Sequence, residues 1–160
     1  MATDGGATGN GKTHCRAAFA VYFGENDVRN CSGRVLKNPS NQTGELTAIA
    51  KAVDIISNES DEKMWTILTD SDYSIKALTV WTPNWARRGW RKPDGKPVLH
   101  QDIIQPTYEK LRQLGTRVAF KHIRSHKKAP PTSDTQAWKE WSFNKEVDAA
   151  CTAVLTKKAE

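Results

Sequence analysis

The apolar positions fall into runs with different spacing, and the spacing predicts the elements. Between Cys15 and Gly24 the chain is almost continuously apolar or aromatic. A turn-like trio, Glu25-Asn26-Asp27, separates that run from a second one over Val28 to Leu36. Two β-prone runs joined by a short polar turn predict a hairpin. Leu46, Ile49, Ala50, Val53 and Ile56 then recur at helical intervals, with Ser40 or Asn41 placed to cap the helix and Glu45 in its first turn. Trp65 to Thr69 (WTILT) is a short strand that stops at Asp70, and Ser71 to Val80 predicts a short helix. Trp81 to Pro97 is broken by Pro83, Gly89, Pro93 and Gly95 and is at least partly loop. Ile103, Ile104, Tyr108, Leu111 and Leu114 predict a helix ending at Gly115, with Pro106 as an interior irregularity. Arg117 to Ile123 reads as a strand and Lys127 to Asp134 as a loop. The end, from Trp138 or Asn144 to Lys157, reads as helix. A hairpin implies antiparallel pairing, and strands separated by helices imply parallel pairing. A mixed α/β sheet with helices packed on it satisfies both.

Composition narrows the class. At 160 residues and 38% hydrophobic the chain can build one modest core. A formal net charge of +6, with pI near 9.3, favours a polyanionic partner. No apolar run is long enough to span a bilayer, and Met1 to Gly6 carries no charged-then-apolar pattern of a secretory signal. Cys15, Cys31 and Cys151 are odd in number and widely spaced. They form neither a disulfide framework nor a zinc motif, which predicts a reducing, intracellular setting and packing roles for Cys15 and Cys151.

Four acids stand out by position. Asp4 precedes a glycine-rich stretch, Glu45 opens an amphipathic helix, Asp70 ends an apolar strand, and Asp148 lies between Val147 and Ala149-Ala150 in the last helix. Taken singly, each reads most simply as an exposed cap or turn residue. An acid facing a core is costly unless paired or bound to a cation, and carboxylate-only clusters suit Mg²⁺ or Mn²⁺. Spacing alone does not assemble the four.

A resemblance to a known family does. Asp4-Gly5-Gly6 with Asn10-Gly11, then Asn41-Gln42-Thr43-Gly44-Glu45-Leu46, Thr69-Asp70-Ser71, His122-Ile123-Arg124-Ser125-His126, and Asn144-Lys145-Glu146-Val147-Asp148 occur in the sequence found in type 1 ribonucleases H. The chain resembles that family over nearly its whole length. The resemblance implies a ribonuclease H-like fold with a mixed five-stranded central sheet. It also implies an endonuclease that cuts the RNA strand of an RNA–DNA hybrid, leaving 5′-phosphate and 3′-hydroxyl ends. Asp4, Glu45, Asp70 and Asp148 would ligate two Mg²⁺ ions, with Mn²⁺ as a substitute, and Asp4 would bridge them. His126 would match the family's mobile histidine, and Asn10, Asn41 and Gln42 would contact the RNA strand. Three departures are visible. Only three residues precede Asp4, which predicts a trimmed first strand within a domain covering residues 1–160. The stretch from His126 to Asp148 is longer than usual, which predicts an insertion before Asn144. Asn38, Ser40 and His100 replace the Arg, Thr and Asn often found at the pocket for the DNA strand's phosphate.

The basic, aromatic segment is informative without the family. Trp81, Trp85 and Trp90 interleave with Arg87, Arg88, Arg91, Lys92 and Lys96, opposed by Asp94 alone. Cations meet phosphates and indole faces pack on sugars or bases, so Trp81, Trp85, Arg87, Arg88, Trp90 and Arg91 are expected to bind substrate. The competing reading has the indoles packed beneath a helix and the cations merely solvated. His122 and His126 are four apart but not on one helix, so they do not form a zinc pair. His122 reads as structural. The expected enzyme works as a monomer on hybrid and not on membranes. Its rivals are the nuclease domain of a retroelement reverse transcriptase and a non-catalytic hybrid-binding module. The four acids oppose the latter, because a pure polyanion binder gains nothing from clustered negative charge.

Overall fold

The computed structural model describes residues 1–125 and 127–157. Five strands, β1 (Ala2–Thr8), β2 (Arg16–Tyr22), β3 (Cys31–Val35), β4 (Trp65–Thr69) and β5 (Val118–His122), form one sheet in the order β3-β2-β1-β4-β5. The first three form an antiparallel meander, and β4 and β5 add in parallel beside β1. This is the mixed five-stranded sheet expected from a hairpin followed by strand–helix alternation.

The sheet's faces are unequal because side chains alternate along each strand. Val21 and Phe23 join Ile67 on the face covered by α1 (Asn41–Ser57) and α4 (Gln101–Leu114). There Leu46, Ile49, Val53, Ile56 and Ile104 complete the larger core, all almost fully buried. Ala2, Ala18, Ala20 and Leu68 face the other way and receive Val147 and Cys151 of α5 (Thr135–Thr156). Those small residues let α5 approach closely, and the Cys151 thiol donates to the Ala18 carbonyl at 3.6 Å. Cys15 is only half-buried, so of the two expected core cysteines Cys151 alone is buried.

The first helix begins as the sequence implies. Ser40 is its N-cap, accepting from the Thr43 N–H while the Thr43 hydroxyl accepts from the Ser40 N–H, a reciprocal capping box. Asp134 caps α5 by a single bond, its side chain accepting from the Ala137 N–H at 3.1 Å.

Elsewhere local chemistry moves the boundaries. β3 starts at Cys31 rather than Val28, because Asn30 closes the turn. Its side chain donates to the Gly24 carbonyl and accepts from the Phe23 N–H, both at 2.7 Å. Beyond Asp70 the expected single helix divides. The short α2 (Asp72–Lys76) passes into a π-helical turn over Ala77–Trp81 and then α3 (Thr82–Arg87). Pro83 lacks an N–H and crowds the carbonyl four residues back, which loosens the register at this point. Pro106 costs α4 one hydrogen bond but lies on its exposed face, and the helix continues. α5 begins at Thr135, earlier than expected, so the residues predicted as an insertion form a loop over 127–134 and the opening turns of α5.

Candidate metal centre and nucleic-acid interface

The strand register places the first two acids. Ala2 pairs with Leu68 across the parallel β1–β4 contact. Two residues further along the chain lie Asp4, within β1, and Asp70, the first residue past the end of β4, which the two-residue alternation sends to the same face. That face is the one α5 covers, and Asp148 of α5 lies near enough for its charge to raise the Asp4 carboxyl, though it stands outside the three acids whose oxygens converge.

Glu45 arrives by a different device. A Cβ on Gly44 would sit 2.7 Å from the Ala18 carbonyl oxygen, and one on Gly5 would sit 2.1 Å from the Gly44 carbonyl carbon. Helix and sheet backbones therefore touch where neither residue has a side chain. Gly5 follows Asp4 and Gly44 precedes Glu45, so this contact delivers the two acids to each other. Carboxylate oxygens of Asp4, Glu45 and Asp70 lie within 4.8 Å of one another. His122 bonds the Asp70 carbonyl through Nε2 at 3.1 Å, which ties the end of β5 to the residue that follows β4 and fits its expected structural role.

The electrostatics of the cluster are unfavourable without a cation. Burial pushes the Asp4 carboxyl up to about 7, and the neighbouring charges of Asp70 and Asp148 add to the effect. Burial, Asp70 and Asp4 likewise push Glu45 far above the usual carboxylate range. The same acids, after burial itself, help push the Cys151 thiol up to about 12. Glu45 Oε2 is buried with no hydrogen-bond partner among the described residues. An orphaned, buried carboxylate oxygen among like charges is what an oxygen-loving cation would satisfy, so the residues present fit a divalent metal.

Beside the cluster, the N-terminus of α1 exposes Asn41 and Gln42. Asn10, on the β1–β2 loop, accepts from the Asn41 N–H at 3.1 Å, and Gln42 Oε1 meets His100 Nε2 at 3.2 Å. Ser40 is occupied as the helix cap. The structure thus brings Asn10, Asn41 and Gln42 together on one rim, while His126 lies outside the described residues.

The tryptophan segment divides between the two readings. Tyr73, Trp81, Trp85, Trp90 and Tyr108 form a chain of ring contacts with centroids 5.7 to 6.5 Å apart. Trp90 is 8% exposed and locked between Trp85 and Tyr108. The expectation that Trp90 presents its ring to substrate is therefore corrected: the ring belongs to the core, because its faces are already occupied by protein. Trp81 and Trp85 are half-buried and keep an exposed edge. Arg87 and Arg88 are exposed at the end of α3, Arg87 bonding Asn84, and the exposed Arg91 donates to the Gly95 carbonyl at 2.9 Å. Sequence reasoning assigns no role to the two glycines that set the helix–sheet distance. A signal exists, since each adjoins one of the acids.

The match to known proteins is consistent with this geometry. The family model described as RNase H matches residues 1–154. A ribonuclease H of Cyanothece sp. is 34% identical over 125 residues, covering 78% of this chain and 75% of that protein. Human ribonuclease H1 is 30% identical over 124 residues, again 78% of this chain, but the chain spans only 42% of that protein. Among solved structures, the PFV RNase H domain superposes with a TM-score of 0.66 at 20% identity, covering 96% of this chain and 91% of the other, which shows a shared fold. On the family match and the cyanobacterial relative together, the chain belongs to the ribonuclease H family.

Proposed function

We propose that this chain hydrolyses the RNA strand of RNA–DNA hybrids, with Asp4, Glu45, Asp70 and Asp148 holding two Mg²⁺ ions. The single observation that carries the reading is the convergence of Asp4, Glu45 and Asp70, with Asp148 near Asp4 and a buried Glu45 oxygen left without a partner among the described residues. Bound Mg²⁺ supplies the Lewis acidity that activates an attacking water and offsets charge on the departing oxygen. The protein offers ligands here rather than a nucleophilic side chain. Its own contribution is to hold four carboxylates in place before substrate arrives, on two parallel strands and two helices that cannot easily separate.

In this reading Asn41 and Gln42 meet the RNA strand from the rim of the cluster, within one helical turn of Glu45. Contacts to its sugar edge would distinguish RNA from DNA. Asn10 orients Asn41 by accepting from its backbone. The exposed cations Arg87 and Arg88, with the edges of Trp81 and Trp85, hold the duplex by its backbone. Water adds to the scissile phosphorus and the bond to the 3′ oxygen breaks. The products are a 5′-phosphate and a 3′-hydroxyl. His126 is assigned to product departure on its place in the family motif.

A labelled hybrid, cut in the presence of Mg²⁺ and spared in EDTA, is the direct test. Duplex DNA should survive the same treatment. No cleavage of hybrid in Mg²⁺ or Mn²⁺ overturns the proposal and favours a binding module.

A further inference from the structure

The loop over 127–134 and the opening turns of α5 form a feature that the catalytic reading leaves unused. Between them and the end of β5 lies a cleft of about 390 Å³, lined by His122, Arg124, Lys127, Lys128, Trp141 and Asn144 among others. A second hollow, of about 380 Å³, shares Lys127, Trp141 and Asn144 with it and reaches Asp148. The two therefore lead from the β5 edge of the sheet to Asp148, the acid whose charge acts on Asp4.

The cleft is built and it is cationic. The Trp141 indole N–H donates to the Lys127 carbonyl at 3.0 Å, fastening the loop to α5. Lys145 lies over the Trp141 ring at 4.9 Å, so that indole is fixed from two sides. Glu140 neutralises Lys121 at 2.6 Å. Among the described residues Arg124, Lys127 and Lys128 enter no ion pair. Three uncompensated cations beside an aromatic wall are the chemistry of a nucleic-acid backbone site.

Its position selects the strand. Asn10 and Asn41 lie on the β1–β2 side of the carboxylates, whereas the cleft lies on the β5 side, with Asp4 and Asp70 between them. A strand that meets Asn41 and Gln42 and crosses the acids leaves over the cleft. Resting on the catalytic reading above, we infer that this cleft takes one or two backbone phosphates of the RNA strand beyond the scissile bond, on the side away from Asn41. It would thereby lengthen the substrate footprint in that direction.

The test is cleavage kinetics of the whole chain on hybrids whose RNA strand carries one neutral methylphosphonate linkage, moved position by position away from the cut. For the wild type, neutralising a linkage in the cleft should raise KM about ten-fold, with kcat unchanged, while positions further out have no effect. Arg124→Ala/Lys127→Ala/Lys128→Ala should show the raised KM on unmodified hybrid and no further rise at the sensitive linkage. Should that variant melt early, the Lys127→Gln/Lys128→Gln pair serves, since both side chains are exposed and the bond to the Lys127 carbonyl survives. If the wild type cuts but shows no sensitive linkage on this side, or if the variant keeps its sensitivity, the cleft is not a phosphate site and the catalytic reading stands. If the wild type cuts nothing, both fall together.

Discussion

At the carboxylate cluster, like charges are pressed together: Asp4, Glu45 and Asp70 crowd within 4.8 Å, with Asp148 alongside Asp4. In the segment from Trp81 to Pro97 the like charges fan apart. Arg87, Arg88, Lys92 and Lys96 are exposed, and the tryptophans beneath them do the packing. In the first region, position is imposed on charge by backbone contacts and costs stability until a cation arrives. In the second, aromatic burial stabilises the fold and the charge is nearly free of it. The cluster should therefore be intolerant of small changes, and the segment graded in its response.

The largest effect expected is at the cluster. Asp70→Asn keeps the shape and removes a ligand charge, so cleavage should fall by more than about 100-fold while hybrid binding in EDTA persists or improves. Asp148→Asn should also cut activity sharply, with Mn²⁺ restoring part. Single-turnover assays in Mg²⁺ and Mn²⁺ check both, and near-normal rates in Asp70→Asn would remove the two-metal assignment.

Next comes the helix–sheet contact. Gly44→Ala should push α1 off β1, since its new methyl would meet the Ala18 carbonyl oxygen at 2.7 Å. Overpacking of this kind costs about 1–3 kcal/mol. Activity should fall further than stability, because misplacing Glu45 by an ångström can cost about 100-fold. Thermal melts set beside kcat separate the two losses.

The basic segment should respond more gently. Replacing Arg87, Arg88 and Arg91 by Ala should weaken hybrid binding and flatten its salt dependence, by up to about one logarithmic unit for each phosphate left without its cation. Turnover at saturating substrate should change little. An unaltered salt slope in fluorescence anisotropy titrations would show that these cations do not touch phosphate.

A smaller effect is expected in the stability of the metal-free protein. Asp4 titrates near 7 in the folded chain and about 4 when unfolded. Between those values the folded state holds the extra proton, so stability is greatest below about 4 and declines as pH rises toward about 7. The strongly raised Glu45 extends the decline to higher pH. Melting in EDTA should follow this slope, and Mg²⁺ should flatten it. A metal-free melting temperature that rises over this range would contradict the crowding described here.

The smallest effect is expected at Asp134. Asp134→Asn should leave activity and melting nearly unchanged, because Asn caps a helix about as well as Asp. A loss matching that of Asp148→Asn would mean that the last helix is set differently against the sheet.

Local signals are legible where residues act on their own neighbours. WTILT is readable as β4 and Ser40 as a cap, because strand alternation and capping are matters of a few adjacent residues. The break near Pro83 and the late start of β3 are less so, since each depends on which carbonyl or side chain the fold supplies. Trp90 cannot be told from Trp81 and Trp85 by sequence. Burial belongs to the whole packing and not to the residue type.

The sequence by itself determined the alternation of strands and helices, the surplus of positive charge, and the ordered motifs that identify the family. It held the acids 41, 25 and 78 residues apart, by their positions in the chain, with nothing local to join them. Only the tertiary structure decided that they meet. It did so through the parallel register of β1 and β4, the bare backbone contact of Gly5 with Gly44, and the small-residue face that lets α5 bring Asp148 near Asp4. Mutual repulsion disfavours that meeting, and it persists because burial of the two cores on either side of the sheet outweighs it.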